Sequence, residues 1–332
     1  MTESKIDGAS VSDYSSPLFL AWQLTNRCEA NCLTCCEESG PGKAWSDEMS
    51  EAAALKFARE VVEAGIPYAA FGGGEPLAVP FFWKIAEIFH QGGVGLKLET
   101  NGLPITEEKA DYLKSIHTNC IQISMDGATR ETFDKVRPGG RYDDVVAVLK
   151  RLGRRDLQPE WVFVPNRINV HEIARAYEMA ADLGCRTFVT GPMMRLGRAA
   201  EAWATLGLEK DEWARAADRL RERAAAMGEP VKLSIYPWDI LTEMTTRLKS
   251  PQAMVLVVPN GRAKLLNALP FAPASVIEHS ISECWTRYQD AWKSDEVRDF
   301  IETCQTKKEL LLHANETWWP GEWDKRRAAS GV

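Results

Sequence analysis

The sequence predicts an α/β protein built on a parallel sheet, and two observations support this class. Short apolar segments typical of strands alternate six times with helical segments between residues 18 and 190. Such alternation is typical of parallel strands joined by right-handed helical crossovers. Polar and glycine residues also follow the strands, at the end of the sheet where α/β proteins bind ligands. Periodicity does not distinguish an open doubly wound sheet from a partial barrel.

The predicted elements are short and regularly spaced. The six strands span Leu18–Leu24, Tyr68–Gly72, Val94–Glu99, Cys120–Met125, Glu160–Val164 and Arg186–Thr190. Helices are predicted from near Ser46 to Gly65, over Phe81–His90, Glu107–Ser115 and Tyr142–Leu152, and from Asn169 to Gly184. The last helix has apolar residues at helical spacing and a capping pattern, Asn169 with Glu172, at its start.

Beyond Gly191 the alternation stops, and we expect a smaller α+β region. Its predicted elements are a loop at Gly197-Arg198-Ala199, a helix over Lys210–Met227, a strand over Val231–Tyr236, a hairpin with its turn at Asn260-Gly261, and helices over Ile281–Lys293 and Asp295–Thr303. The chain thus divides into a flexible N-terminus (1–16), the repeated βα region (17–192), the α+β region (193–323) and a flexible tail (324–332).

Composition and charge restrict the class of protein. Of 332 residues, 45% are hydrophobic and 26% charged, which is ordinary for a soluble globular protein. A net charge of −7 and no dense basic run argue against a nucleic-acid partner. No apolar stretch approaches the roughly 20 residues of a membrane span, and residues 1–16 lack the apolar core of a secretory signal. We expect a cytoplasmic protein whose eight cysteines are thiols or metal ligands.

Three cysteines, Cys28, Cys32 and Cys35, lie within eight residues directly after the first strand. Three thiols are too few for a closed four-thiolate zinc site. Three thiolates on a cubane iron–sulfur cluster would leave one iron open to an outside ligand, because such clusters otherwise take four cysteines. A loop with chance cysteines, or a zinc knuckle without its fourth ligand, is the alternative that the spacing leaves open.

Glycine-containing segments follow the next three strands. They are Gly72-Gly73-Gly74-Glu75-Pro76, Thr100-Asn101-Gly102 and Ser124-Met125-Asp126-Gly127. Glycine lets the backbone approach a ligand closely, although each segment by itself is also an ordinary turn. Their order after a three-cysteine loop indicates one shared ligand site.

Together these segments resemble the radical S-adenosylmethionine (SAM) superfamily over about Leu18 to Gly191. The three cysteines match its CxxxCxxC motif, and residues 72–76 match its GGEP motif. The resemblance implies a partial (β/α)6 TIM-type barrel with a small α+β C-terminal extension. It also implies one [4Fe–4S] cluster on Cys28, Cys32 and Cys35, and SAM as the second cofactor. The residues that the resemblance assigns to SAM are Gly72, Gly73, Gly74, Glu75, Pro76, Thr100, Asn101, Ser124 and Asp126.

Two features of the cysteine loop bear on the ligand assignment. Thr34 stands before the third cysteine, where the family usually has an aromatic or large residue. Cys36 follows Cys35 directly and is an alternative ligand. We favour Cys35, because it preserves the spacing of the family.

The C-terminal region is similar in layout to the SPASM/twitch extension of the family. In that extension further cysteines hold auxiliary clusters, whereas here Cys284 and Cys304 have no CxxC partner. We therefore expect a single cluster in the protein, with these two cysteines as buried thiols.

The resemblance implies an enzyme that reductively cleaves SAM and uses the 5′-deoxyadenosyl radical to abstract hydrogen from a substrate. We expect a small or medium organic substrate of cofactor or natural-product biosynthesis, of tetrapyrrole, sugar or nucleoside type, and a flavodoxin or ferredoxin-type electron donor. The alternative is a maturase or epimerase of a ribosomally made peptide. Two features disfavour that alternative, since 27 residues before Cys28 are few for a leader-recognition domain and the auxiliary-cluster cysteines are missing. An alternative of another class is a non-catalytic metal-binding scaffold.

Other candidates have simpler structural explanations. Cys185 is a candidate hydrogen donor to a substrate radical, but a core thiol explains it more simply, as it does Cys120. The tryptophans near the C-terminus are better explained by core packing than by a substrate wall. Candidate substrate contacts, each also explained as a surface or capping residue, are Arg195, Arg198, His171, Tyr236 and Asp239.

Overall fold

A single mixed sheet organises the chain in the computed structural model, which describes residues 11, 14–116 and 118–330. The strands of this sheet are β1 (Phe19–Thr25), β2 (Tyr68–Gly73), β3 (Gly95–Thr100), β4 (Cys120–Ser124), β5 (Glu160–Phe163), β6 (Thr187–Thr190), β7 (Lys232–Ile235), β8 (Met254–Val257), β9 (Arg262–Lys264) and β10 (Ala274–Ser275). Their order is β10-β9-β8-β1-β2-β3-β4-β5-β6-β7. All pairings from β8 through β1 to β7 are parallel, and β9 and β10 add an antiparallel ribbon at one edge.

Each strand from β1 to β7 is followed by at least one helix. The helices are α1 (Glu51–Glu63), α2 (Phe82–Gln91), α3 (Glu107–Ser115), α4 (Arg130–Val136), α5 (Tyr142–Arg154), α6 (Ile173–Asp182), α7 (Gly197–Glu201), α8 (Trp203–Leu206), α9 (Lys210–Ala226), α10 (Ile240–Lys249), α11 (Ile281–Ala291), α12 (Asp295–Thr306) and α13 (Glu322–Ser330). Among the described helices, none is both long enough and apolar enough to cross a bilayer.

The strand order decides between the two architectures that the sequence left open. Strands β1 to β7 are neighbours in the order in which they occur along the chain. With right-handed crossovers, this order places the intervening helices on one face of the sheet. A doubly wound sheet would instead reverse its order at a switch point and carry helices on both faces. The sheet is therefore that of a partial barrel.

Apolar and polar residues alternate along the strands, which gives the sheet an apolar outer face and a more polar inner face. In β3, Leu96 and Leu98 belong to the buried core, whereas Lys97 and Glu99 face an inner cavity. Successive side chains of a strand point to opposite faces, so one strand serves both the core and the cavity. The outer core is rich in aromatic residues, with Phe71 of β2 at its centre.

The structure confirms each of the six predicted strands to within one residue at either end. It also confirms the hairpin with its turn at Asn260-Gly261, where Gly261 has a φ of 79°. The predicted loop at Gly197-Arg198-Ala199 is wrong, because these residues form the first turn of α7. Helix α10 was not predicted at all.

The C-terminal region extends the sheet at both of its sides. Strand β7 pairs with β6, and β8 pairs with β1, so the α+β region shares its hydrogen bonding with the barrel. Helix α13 occupies most of the segment expected as a tail, and the guanidinium of Arg327 pairs with Asp299 at 2.8 Å. The expected N-terminal tail, 1–16, lies mostly outside the described residues.

Replacing Phe71 by Ala is expected to lower the free energy of unfolding by about 3–5 kcal/mol, the usual cost of emptying an aromatic site in a core. Its ring centroid lies 5.6 Å from Trp22, 5.2 Å from Phe82 and 5.8 Å from Phe89. Tyr68→Ala, on the same strand but 52% exposed, should change stability by less than about 1 kcal/mol. Urea titration measures both, and equal losses would contradict this description of the core.

Candidate functional site

The carboxyl ends of β1 to β4 surround a cavity of about 260 Å³. Its lining brings together the residues that the sequence analysis assigned to the cluster and to SAM. Those present are Cys28, Cys32, Cys35, Gly72, Gly73, Gly74, Glu75, Thr100, Asn101 and Ser124. Pro76 and Asp126 are buried beside the cavity and do not line it. The parallel strands thus gather segments that are up to 96 residues apart, from Cys28 to Ser124.

The cysteine loop is held by backbone hydrogen bonds to the end of α4. The amide of Leu33 donates to the Val136 carbonyl at 2.9 Å, and that of Asn31 donates to the Pro138 carbonyl at 3.0 Å. A loop that must present three thiols in fixed positions needs such external partners, because it has no ladder of its own.

Helix α7 holds the same loop from the other side. The Arg198 side chain donates from Nε to the Cys32 carbonyl at 2.8 Å and from Nη2 to the Ser39 carbonyl at 2.6 Å. Gly197 has a φ of 50°, and a Cβ at this position would lie 2.5 Å from the Cys36 carbonyl oxygen. The helix can approach the loop this closely because residue 197 has no side chain.

Two of the three thiols already receive hydrogen bonds. Asn101 Nδ2 lies 3.7 Å from Cys28 Sγ, and Arg137 Nη1 lies 3.5 Å from Cys32 Sγ. Burial raises the pKa of Cys28 to about 12. Burial also raises the pKa of Cys32, although the nearby Arg137 opposes this effect. Metal binding must therefore displace thiol protons here, and the N–H donors suit the thiolates that result.

The three thiols match the donor set of a cubane cluster that leaves one iron open to an outside ligand. Among the residues that the structure describes, no three Cys, His, Asp or Glu side chains converge on a point that could hold one metal ion. A cubane cluster makes no such demand, because each cysteine binds a different iron. The donor set and the adjoining cavity therefore fit the [4Fe–4S] cluster that the resemblance implied.

The thiol of Cys36 forms a hydrogen bond with a neighbouring carboxylate. Its Sγ donates to Glu37 Oε1 at 3.5 Å, and the Asn267 amide donates to the same oxygen at 3.0 Å. Burial raises the pKa of the Cys36 thiol well above its ordinary value. These contacts favour Cys35 as the third ligand, as the spacing did.

Glu75 ties the ends of β2 and β3 together. Its Oε1 accepts from Thr100 Oγ1 at 2.7 Å and from the Leu77 amide at 3.0 Å, and its Oε2 accepts from the Asn101 amide at 2.9 Å. Burial raises the pKa of this carboxyl to about 7, although the hydrogen bonds oppose the shift. The side chain of Glu75 thus shapes the cavity floor by fixing Thr100 and Asn101.

Asp126 has a similar role one strand further on. Its Oδ2 accepts from Arg137 Nε at 2.8 Å, and its Oδ1 accepts from the Val164 amide at 2.7 Å. Thr34, the residue that departs from the family pattern, also donates to Oδ2, at 3.4 Å. Asp126 therefore holds Arg137 against the cysteine loop.

Sequence reasoning missed two residues of this site. Arg137, which lines the cavity, follows a short helix and has no motif around it that marks a ligand contact. Glu172 accepts four hydrogen bonds from Ala128, Thr129 and Thr132, at the turn after β4. Glu172 was identified only as part of a helix-capping pattern, and its partners lie some 40 residues earlier.

A second cavity, of about 340 Å³, adjoins the first inside the barrel. Residues that line both cavities are Glu37, Gly72, Gly73, Glu99, Met194 and Asn267. Other parts of its lining are Tyr236 and Trp238, which follow β7, and residues of α10 and β8. The shared residues form the boundary between the second cavity and the cofactor cavity.

Charges in the second cavity are paired. Lys97 Nζ lies 2.7 Å from Glu99 Oε1, and Arg247 Nε lies 2.6 Å from Glu243 Oε1. The hydroxyl of Tyr236 donates to Glu243, and together with burial this contact raises the pKa of Tyr236 to about 12. The wall therefore holds a neutral tyrosine and carboxylates that have partners.

The remaining sequence candidates lie away from both cavities. Cys185, Cys284 and Cys304 are buried in the apolar core, as are Trp285, Trp318 and Trp323. Burial raises the pKa of Cys185 to about 12, and the residue precedes β6, at the opposite end of the strands from the cofactor cavity. Asp239 caps α10 by accepting from the Thr242 amide at 2.8 Å.

Comparison with known proteins agrees with this geometry. Residues 22–180 match the family model of the radical SAM superfamily. The chain is 31% identical over 198 residues to the mycofactocin maturase MftC of Mycobacterium tuberculosis, covering 59% of this chain and 50% of that protein. It is 29% identical over 189 residues to the AdoMet-dependent heme synthase of Methanosarcina barkeri, covering 57% and 54%. It is 28% identical over 183 residues to the PqqA peptide cyclase of Ruegeria pomeroyi, covering 52% and 46%.

Among solved structures, SuiB of Streptococcus suis bound to S-adenosylmethionine is similar with a TM-score of 0.70 at 11% identity, over 92% of this chain and 77% of SuiB. At this identity the similarity shows the fold. The chain spans about half the length of the curated relatives it matches.

The fold and the site together define a partial barrel with a cysteine-lined cofactor cavity. The match of residues 22–180 to the model of the radical SAM superfamily confirms the resemblance, and the fold class is confirmed as well. This family uses a [4Fe–4S] cluster and SAM, so the predicted cofactors are confirmed as well. The similarity of residues 193–323 to a SPASM/twitch extension stays a prediction.

Replacing Gly74 by Ala is expected to reduce the iron bound after anaerobic reconstitution and to cost about 1–3 kcal/mol of stability. The added Cβ would lie 2.0 Å from the Arg27 carbonyl oxygen, at the start of the cysteine loop. Gly228→Ala is the control, since it faces open space and imposes only backbone strain. Full iron content in Gly74→Ala would contradict this reason for the glycine.

Proposed function

We propose that the chain is a radical SAM enzyme that modifies a ribosomally made peptide. The cluster would be held by Cys28, Cys32 and Cys35, with SAM in the first cavity and the substrate residue in the second. The charge of the second cavity is the observation that carries this choice over the tetrapyrrole-type substrate expected from the sequence.

The relatives support more than one substrate class. By their names, one relative is a maturase and another acts on the PqqA peptide, which favours a peptide substrate. The AdoMet-dependent heme synthase favours a tetrapyrrole instead. The residues of the second cavity discriminate between the two classes.

Three carboxylates, those of Glu37, Glu99 and Glu243, line the second cavity. Lys97 is the one cation among the described residues of this lining, and it pairs with Glu99, while Arg247, outside the lining, pairs with Glu243. Both cations are thus already engaged with carboxylates of the protein. Tetrapyrroles of heme metabolism carry several carboxylates, which need cationic or N–H partners when they are buried. A neutral or basic peptide side chain fits this lining better.

The size of the second cavity also suits a peptide residue. Its volume of about 340 Å³ is near the lower end of the roughly 300–1,000 Å³ range of ligand pockets. Apolar walls from Trp22, Met254 and Leu256 would keep water from the reacting carbon. One or two side chains could enter while the rest of a peptide stays outside.

The chemistry and the positioning divide between the cofactors and the chain. When bound, the cluster and SAM supply the radical that abstracts hydrogen from the substrate. Gly72 and Gly73, at the junction of the cavities, let the two ligands approach through the bare backbone. Glu75 and Asp126 fix the strand ends around them. We infer that a flavodoxin or ferredoxin-type protein provides the electron and that residues 193–323 cover the substrate.

Cys32→Ala is expected to abolish cluster binding and the formation of 5′-deoxyadenosine, because one of three ligands is removed. Cys284→Ala is the matched control, since Cys284 is buried in the core far from the cavity lining. It should retain iron and product. Iron analysis and chromatography of the nucleoside measure the two effects. A loss of iron in Cys284→Ala would refute the assignment of a single cluster.

The substrate class is tested by offering the reconstituted protein SAM, dithionite and either of two substrates. One is a set of short peptides encoded beside the gene, and the other is coproporphyrin. We expect mass changes in a peptide only.

Met254→Trp, which fills the second cavity, should lower peptide product roughly tenfold or more, while deoxyadenosine formed without substrate persists. Ile277→Trp, at an exposed site, is the control. Conversion of coproporphyrin without conversion of any peptide would overturn the proposal.

A further inference from the structure

Arg137 places a buried cation between a carboxylate and a cluster ligand. Its side chain is almost fully buried, with Nε 2.8 Å from Asp126 Oδ2 and Nη1 3.5 Å from Cys32 Sγ. Among the described side chains, no other positively charged group has a hydrogen bond to one of the three cysteine sulfurs. The one comparable contact, from Asn101 to Cys28, is neutral and longer, at 3.7 Å.

The backbone around Arg137 is locked to the cysteine loop. The carbonyls of its two neighbours, Val136 and Pro138, accept from Leu33 and Asn31 of the loop. The backbone at residue 137 is therefore held in place relative to the cysteine loop.

Asp126 is fixed just as firmly. Its Oδ1 accepts from the Val164 amide, and its own carbonyl accepts from Asn169 Nδ2 at 3.1 Å. The carboxylate can thus orient the guanidinium plane, leaving Nη1 aimed at the sulfur.

We propose that Arg137 is a positioning residue that raises the reduction potential of the cluster by donating a hydrogen bond to the Cys32 thiolate. The inference rests on the proposed function only in requiring a cluster on the three cysteines. One-electron reduction adds negative charge to the cluster and its sulfurs. A buried N–H donor and cation beside one sulfur stabilise the reduced form more than the oxidised form.

Arg198 provides an internal comparison. It contacts the same loop, but it donates to the backbone carbonyls of Cys32 and Ser39 and not to a sulfur. Loss of Arg198 should loosen the loop and lower cluster retention. Its effect on the potential should be smaller than that of losing Arg137, because no hydrogen bond to a ligand sulfur is lost.

The test is a redox titration of the reconstituted protein without SAM or substrate, with dithionite as reductant and the reduced cluster followed by electron paramagnetic resonance. Arg137→Gln should shift the midpoint potential to more negative values, and Arg137→Lys should shift it less, because it keeps the charge. Arg198→Gln should shift the potential of the cluster that it retains less than Arg137→Gln does.

A second variant addresses folding, since Arg137→Gln leaves Asp126 buried without its cation. Because loss of the Asp126 carboxylate alone would raise the potential, the double variant Asp126→Asn with Arg137→Gln is compared with Asp126→Asn, and its potential should be the more negative of the two. Equal potentials in these two variants with full iron content would overturn the inference. A shift in Arg198→Gln equal to that in Arg137→Gln would overturn it too. If the wild type binds no cluster, the proposed function itself fails, which is a separate result.

Discussion

The cysteine loop depends on contacts with two segments that lie far from it in the chain. The end of α4 pairs with the backbone of Leu33 and Asn31, and Arg198 of α7 binds the carbonyls of Cys32 and Ser39. A loop that carries three cysteines within eight residues has little internal hydrogen bonding, so its shape must come from contacts with other segments. The site is therefore assembled only when the barrel has closed as far as β6, because α7 follows that strand.

Buried carboxylates connect neighbouring segments after β2 and after β4. The carboxylates of Glu75 and Asp126 each accept three hydrogen bonds. A buried carboxylate is costly unless its oxygens are satisfied, and here the partners are the backbone and side chains that line the cofactor cavity. The hydrogen bonds that satisfy these carboxylates also fix the positions of Asn101 and Arg137. The same hydrogen bonds thus stabilise the strand ends and shape the cofactor cavity.

The sequence predicted the strands, the cysteine loop and the glycine segments because each has a local pattern. It did not predict α10 or the packing of α7, since their partners are α12 and the cysteine loop, which are distant in sequence. Arg137 was missed for the same reason: its importance comes from a sulfur 105 residues earlier. The substrate type expected first was a tetrapyrrole or similar compound. The second cavity favours a peptide instead, because the fold brings three carboxylates from distant segments to its lining, a pattern that no single segment displays.

Helix α10 has a consequence for how the second cavity can change. The helix runs from β7, at one end of the sheet, to β8, which is hydrogen-bonded to β1. The strands from β1 to β7, the connection through α10 and the pairing of β8 with β1 thus form a closed ring. This ring opposes widening of the barrel, so ligands of different size would be accommodated by side chains such as Met194 and Trp238, not by separation of the strands. Selectivity for the substrate would then change through single residues on the inner surface, while the ring of strands stays the same.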